Sequence, residues 1–159
     1  MDTVETVDRI EQSIEIAAPP ERVFALISEP GWFINDERLV DHRIEQISDT
    51  VHVVHDPAHG SFAFATVALD PPRAATFRWI QSLEHAADPS APSTLIEFTV
   101  ADLDDGRVRL TVVESGFASL PGDAAEARQR IEGNTKGWII ELALARDALQ
   151  GGSGDHQRA

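Results

Sequence analysis

The feature that most constrains this chain is a series of short segments in which apolar and polar residues alternate. In the first segment Ile10, Ile14 and Ile16 fall on one face, and Arg9 and Glu15 fall on the other. Alternation with a period of two predicts a strand that buries one face. The same pattern predicts six further strands, over residues 43–48, 51–56, 61–70, 75–82, 94–103 and 107–115.

Short turn sequences separate these predicted strands. Pro71-Pro72 closes one of them, and Asp104-Asp105-Gly106 lies between the last two, which is a strong hairpin signal. Short connections of this kind join antiparallel neighbours. The central part of the chain is therefore predicted to form one antiparallel sheet.

Two short helices are predicted after the first strand. Pro19-Pro20 suits the first turn of a helix, and residues 21–28 carry an apolar face with Val23 and Ile27. Pro30-Gly31 ends this helix, and we predict a second one over residues 32–39. Helices flanking a run of antiparallel strands indicate the α+β class.

A long helix is predicted to close the chain, over residues 123–150. Asp123 and Glu126 have the spacing of a capping box at its start. A helix of this length is roughly 40 Å long. Gly133 and Gly137 lie inside it and cost about 1 kcal/mol each relative to alanine, so close packing or a bend is expected there. One apolar stripe runs along the helix: Ile131, Thr135, Trp138, Leu142, Ala145 and Leu149.

Length and composition limit the classes of protein to consider. The 159 residues predict one domain, over residues 9–150, with disordered tails at 1–8 and 151–159. The chain has no cysteine, no signal-peptide pattern and no apolar run near the ~20 residues that span a bilayer. We therefore predict a cytoplasmic protein without membrane insertion. Its net charge of -14 argues against nucleic-acid partners.

Several segments resemble the SRPBCC, or START-like, superfamily. The run Ile14-Glu15-Ile16-Ala17-Ala18-Pro19-Pro20-Glu21-Arg22-Val23-Phe24 resembles its opening, and residues 94–100 and 108–117 resemble its final strand pair. Gly137-Trp138, with Leu142 and Leu149, resembles its closing helix. Together they are similar to the branch named after the C-terminal domain of the activator of the heat-shock-protein-90 ATPase. The resemblance implies a helix-grip fold, in which a curved seven-stranded antiparallel sheet wraps a long C-terminal helix around a cavity.

The sequence offers no established catalytic motif. His42, His52, His55 and His59 lie close together, but His52 and His55 point to opposite faces of a strand, so we predict surface histidines and no metal site. There is no G-x-S-x-G and no Gly-rich phosphate loop, and we assign no catalytic residue and no cofactor. The segment from Ser115 to Phe117 matches a strand end of the superfamily and is interpreted as structural.

Two charged residues are candidates for the cavity. Glu114 shares the apolar face of Val108 and Leu110, where a carboxylate needs a partner or a raised pKa; the alternative is an exposed position at the strand end. Arg78 points away from Phe77 and therefore faces either the cavity or solvent. The candidate ligand-binding residues are Trp138, Trp79, Phe98, Phe77, Phe64, Trp32, Glu114 and Leu142, and the alternative for each aromatic residue is ordinary core packing.

Three functions follow as hypotheses. The first is a binding protein that holds an apolar, lipid-like or polyketide-like molecule between sheet and helix. The second is a cyclase-like or dehydratase-like enzyme that uses cavity acids such as Glu114 for proton transfer. The third, implied by the name of the related branch alone, is a stress-response protein that contacts a chaperone. The sequence leaves a homodimer open.

Overall fold

The computed structural model describes residues 8–35 and 38–155, which form a seven-stranded sheet, two α-helices and three short 3-10 turns. The predicted strands are confirmed, with ends that differ by at most two residues. The elements in chain order are β1 (Arg9–Ile16), α1 (Pro20–Ile27), β2 (Arg43–Gln46), β3 (Val51–Asp56), β4 (Gly60–Asp70), β5 (Ala74–Ile80), β6 (Ser93–Asp102), β7 (Val108–Ser115) and α2 (Ala124–Asp155).

The sheet is antiparallel throughout, with the order β1-β7-β6-β5-β4-β3-β2. β1 returns beside β7, so Ile10 lies opposite Glu114. The pairing of β4 with β5 shifts register between Thr66 and Ala68. A bulge of this kind bends the strand, and the curved sheet presents a concave face to α2.

Helix α2 begins with the predicted capping box. The Asp123 amide donates to the Glu126 carboxylate at 2.9 Å, and the Glu126 amide donates to Asp123 Oδ1 at 2.9 Å. Trp138, Leu142 and Ala145 of the predicted stripe are buried against the sheet. Although α2 has 32 residues, no described helix is apolar enough over a sufficient length to span a membrane.

The structure extends into both segments that the sequence assigns to tails. Backbone of α2 continues to Asp155, five residues past the predicted helix end at residue 150. Asp8 accepts hydrogen bonds from the Ala118 amide, at 3.2 and 3.4 Å, which hold the start of β1 near the end of β7. The rest of the predicted tails, 1–7 and 156–159, lies outside the described residues.

The connection after α1 turns the chain into the core. Trp32 and Phe33 are buried. Residues 31–33 form a turn, and residues 34 and 35 have no regular structure, where the sequence predicts a second short helix; residues 36 and 37 of that prediction lie outside the described part. Gly31 has a φ of +71°, and a Cβ atom there would lie 2.9 Å from Val54 Cγ2. The left-handed glycine directs the two aromatic rings inward, which a continuing helix would not do.

A second apolar cluster covers the outer face of the sheet beneath residues 81–92. Arg78 holds that connection in place, because its guanidinium donates to Ser93 Oγ and to the Ala91 carbonyl, both at 2.9 Å. Arg78 therefore faces neither of the two environments that the sequence suggests. The members of the cluster are Val51, Val53, Ala63, Ala65, Ile80, Ala86 and Ala91.

Candidate functional site

A cavity of about 450 Å³, open to solvent on one side, lies where the ends of β4, β5 and β7 meet the first half of α2. Small-molecule sites in proteins typically enclose about 300–1,000 Å³. The lining mixes aromatic and aliphatic side chains with a few polar groups: Ser61, Phe62, Ala63, Trp79, Ile80, Gln81, Leu83, Glu114, Phe117, Leu120, Arg130 and Asn134. The cavity therefore has the size and composition of a site for a small organic molecule.

Glu114 is the most deeply buried polar group of this cavity, with 1% of its surface exposed. Its Oε1 accepts hydrogen bonds from Trp138 Nε1 at 2.8 Å and from Asn134 Nδ2 at 3.1 Å. Its Oε2 accepts one from Thr94 Oγ1 at 2.7 Å. Of the two positions that the sequence allows for this residue, the structure gives the inward one with partners.

Burial raises the pKa of Glu114, and the hydrogen bonds from Thr94, Trp138 and Asn134 offset only part of that effect. A carboxyl group with a raised pKa at a cavity wall can take up or release a proton nearer to neutral pH than an exposed glutamate. The three donors also fix the direction of the carboxyl group. Glu114 is thus equipped to orient a bound polar atom or to exchange a proton with it.

Arg130 is the second charged residue of the cavity wall. Its Nη1 is shielded from solvent and has no hydrogen-bond partner among the described residues. Arg130 lies four residues before Asn134 and eight before Trp138, so the three side chains form one row along α2. Glu114 engages the last two members of the row, whereas no ion pair in the described part of the chain includes Arg130.

A smaller cavity of about 130 Å³ adjoins the first, since Trp79 and Asn134 line both. Its other walls come from Phe33, Gly133, Gly137, Trp138 and Glu141. A Cβ atom built on either glycine would meet no other atom within 4 Å. The helical glycines therefore border open space, and tight helix packing does not require them.

A buried polar network lies beside the smaller cavity and corrects the prediction of a surface position for His42, whereas the side chain of His59 is 42% exposed. Only 3% of the His42 side chain is exposed, and its Nε2 lies 2.8 Å from Asp56 Oδ1 and 2.7 Å from the Ile34 carbonyl. His59 Nδ1 lies 2.9 Å from Asp56 Oδ2. Burial of Asp56 alone would raise its pKa, but hydrogen bonds from the Ala58 and His59 amides and from both rings hold that pKa below its ordinary value.

A further contact joins the connection after α1 to the long helix. Asn35 Nδ2 donates to Glu141 Oε1 at 2.7 Å and to the Trp32 carbonyl at 2.9 Å, and Asn35 Oδ1 accepts from the Val40 amide at 3.0 Å. Burial raises the pKa of Glu141, which lines the smaller cavity, although Asn35 and His59 lower it in part. This network fixes the wall that closes the smaller cavity.

The structure divides the predicted ligand-binding residues into two groups. Trp79 and Glu114 line the larger cavity, and Trp79 and Trp138 line the smaller one. The other predicted residues form the second group. Each is at most 2% exposed, packs in the core and borders neither cavity: Phe98, Phe77, Phe64, Trp32 and Leu142. These five lie in the core cluster, and their contact with a ligand stays a prediction from the sequence.

Trp138 is both cavity wall and core. Its ring centroid lies 4.7 Å from that of Phe33 and 5.7 Å from that of Phe98, while its Nε1 holds Glu114. Replacing Trp138 with alanine would therefore remove core packing and also the hydrogen bond that its Nε1 donates to Glu114. A change in ligand affinity in the alanine variant could therefore come from lost stability. A substitution at a residue that touches only the cavity separates the two effects better.

The sequence did not indicate the cavity residues Phe117, Leu120, Arg130 and Asn134. One signal was present, because Arg130 and Asn134 recur at four-residue steps with Trp138, which was assigned. Phe117 and Leu120 belong to the turn after β7, where no periodic pattern indicates which side chains point inward.

Together, the order of the elements, the curved antiparallel sheet and the gripped C-terminal helix define the START-like helix-grip fold. Solved structures with the same fold include the Aha1 dimer from Colwellia psychrerythraea, at 17% identity and a TM-score of 0.63, covering 92% of this chain and 98% of that one. The Zhui aromatase/cyclase from a Streptomyces species is 18% identical with a TM-score of 0.61, over 93% and 96% of the two chains. XoxI from Bacillus cereus is 13% identical with a TM-score of 0.66, over 90% and 96%.

No family model and no curated protein matches this chain. At identities of 13–18% the structural likeness establishes the fold alone. The function must therefore be argued from the cavity and its side chains.

Proposed function

We propose that this protein binds a small, largely apolar organic molecule in the cavity between its sheet and α2. The observation that supports this most directly is the 450 Å³ cavity, whose aromatic and aliphatic walls surround a single inward carboxyl group with fixed orientation. Apolar walls with a few convergent polar groups are typical of small-molecule sites. Aromatic side chains provide the contact area for the apolar part of the ligand, and Glu114 orients a polar atom of the ligand.

The glycines of α2 support the same proposal. Alanine is the better helix former by about 1 kcal/mol, and the space above Gly133 and Gly137 would accept a methyl group. Stability alone therefore favours alanine at both positions. A ligand that extends past Trp79 into the smaller cavity would occupy the space next to both glycines and would explain why alanine is absent there.

Retention of the ligand through purification tests the proposal. Untagged protein from its own host, examined by native mass spectrometry, is expected to carry one organic molecule per chain. Purified protein should also bind N-phenyl-1-naphthylamine, a neutral apolar fluorophore, at one molecule per chain, and the retained compound should displace it. Protein that carries no compound and binds no fluorophore would contradict the proposal.

A second candidate is an enzyme that uses Glu114 as its proton donor or acceptor. The observation in its favour is the raised pKa of this buried carboxyl group at a cavity wall. The same mass measurement separates the two functions. If the compound retained by Glu114→Gln is heavier than the wild-type compound by one water molecule, Glu114 assists a dehydration. If both proteins retain the same compound, binding without a reaction is supported.

The chaperone hypothesis and the homodimer stay predictions from the sequence. One structural neighbour is described as a dimer, and its name belongs to the branch that the sequence resembles. In this chain the cavity provides a more specific argument than the name of a distant neighbour.

A further inference from the structure

We propose that the ligand carries a carboxylate and that Arg130 binds it. This inference rests on the proposed binding function and names the chemical class of the molecule: an amphipathic acid with an apolar body and one anionic end. It follows from the way in which the polar groups of the larger cavity are already engaged.

The hydrogen-bonding capacity of Glu114 is used by side chains of the protein itself. Three donors from β6 and α2 occupy its two oxygens at 2.7–3.1 Å. The carboxyl group is therefore held on the wall and is not free to turn toward a cationic ligand. Asn134 and Trp138 are engaged in turn by Glu114, so neither nitrogen is the primary anchor for a ligand.

Arg130 is in the opposite situation. It lies one helical turn before Asn134 in the same row and borders the same cavity, yet it forms no ion pair with Glu114 or with any other carboxylate in the described residues. Its Nη1 is removed from water without a hydrogen-bond partner. A guanidinium group is always charged and offers only donors, so the group that satisfies it must be an acceptor.

A carboxylate matches these requirements better than a neutral acceptor does. A planar carboxylate can receive parallel hydrogen bonds from a guanidinium group, and charge-assisted bonds are the stronger ones. The apolar body of the ligand would then contact Phe62, Trp79, Phe117 and Leu120. The chain has a net charge of -14, which repels anions at long range, so a local arginine is the feature that permits an acid to bind.

The test compares an acid with its own ester on the unmodified protein. The probes are 11-(dansylamino)undecanoic acid and its methyl ester, which share the fluorophore and the apolar chain, titrated at pH 7.5. Wild-type protein is expected to bind the acid about tenfold more tightly than the ester, as the loss of a charge-assisted hydrogen bond would produce.

Two variants identify the group responsible. Arg130→Gln should lose the preference for the acid while its affinity for the ester stays the same. Arg128→Gln removes the same charge from an exposed position of α2 and should keep the preference. If both variants lose the preference equally, the effect is long-range electrostatics, and the assignment to Arg130 is overturned.

The outcomes separate this inference from the proposed function. Equal binding of acid and ester by the wild type would overturn the carboxylate inference, even if Arg130→Gln did not fold, and would leave the binding function standing. Absence of binding by acid, ester and N-phenyl-1-naphthylamine would overturn both. Stronger binding of the ester would indicate that Glu114 repels the acid and would also overturn the inference.

Discussion

Glu114 connects the chemistry of the cavity with the stability of the fold. Its three partners come from β6 and from two successive turns of α2, so the carboxyl group fastens the helix to the sheet. The pKa of Glu114 is raised because burial penalises its charged form. Folding therefore depends on the proton that this group binds.

The pH dependence of stability follows from the direction in which this pKa moves. The folded state keeps the Glu114 proton to a higher pH than the unfolded chain, whose glutamates titrate near about pH 4.3. The free energy of unfolding should therefore fall as pH rises from that value to the raised pKa, by about 1.4 kcal/mol for each pH unit between the two. Glu114→Gln should reduce this slope in urea unfolding measured from pH 4 to pH 8, and the contribution of Glu141, whose pKa burial also raises, should remain.

The exposed Glu132 provides the control for this measurement. Glu132→Gln should leave the slope as it is in the wild type. A Glu114→Gln variant with an unchanged slope would mean that the pKa of Glu114 does not differ between the folded and unfolded states.

Single residues also show what a sequence can and cannot predict. Alternation along β7 places Glu114 on the inner face, but it does not indicate the partners, which lie 20 and 24 residues away. His42 lies outside any periodic segment, and its partner Asp56 is 14 residues further on. Periodicity predicts the face on which a side chain lies, whereas depth and partners depend on tertiary packing.

At the scale of elements, the start and the buried face of α2 were predicted correctly, whereas its end was placed five residues too early. Its start follows from a local capping box, and its buried face follows from a stripe that spans several turns. The second short helix failed because the burial of Trp32 and Phe33 overrode local preference. The aromatic residues of the sheet were placed on the correct face, but the cavity lies at one end of that face and touches only some of them.

The two helical glycines give a prediction in which stability and binding change in opposite directions. Gly133→Ala and Gly137→Ala should each raise the free energy of unfolding by about 0.5–1 kcal/mol, because the added methyl group meets no atom and the unfolded chain loses freedom. The same methyl groups occupy the smaller cavity, so the affinity for N-phenyl-1-naphthylamine should fall several-fold. Urea unfolding and fluorescence titration on the same samples measure both effects.

Asp147→Ala is the matched control, because it raises helix propensity at an exposed position of α2 away from both cavities. It should stabilise the protein without weakening the binding of the fluorophore. Glycine variants that become more stable but bind as tightly as the wild type would show that the ligand does not enter the smaller cavity. Loss of stability would mean instead that α2 must bend at these positions.

At the scale of the whole molecule, the cavity exists only when β4, β5 and β7 are in place in the sheet and α2 has closed over it. Its walls come from β4, β5, the connection after β5, β7, the turn after β7 and α2, which span residues 61–134. The unfolded chain cannot assemble such a set of side chains. A ligand of this cavity must therefore bind the folded state and stabilise it.

The size of that stabilisation can be calculated from mass action. A ligand that binds only the folded chain, at a free concentration 100 times its Kd, raises the free energy of unfolding by about 2.7 kcal/mol. For a domain of this size each kcal/mol moves Tm by roughly 2–4 °C, so an increase of about 5–10 °C is expected. Differential scanning calorimetry with the dansyl acid, at concentrations fixed by its measured Kd, tests this directly. A dye that instead binds exposed core residues of a partly unfolded chain would leave Tm unchanged or lower it. Enhanced fluorescence without an increase in Tm would therefore show that the dye is not bound in the cavity.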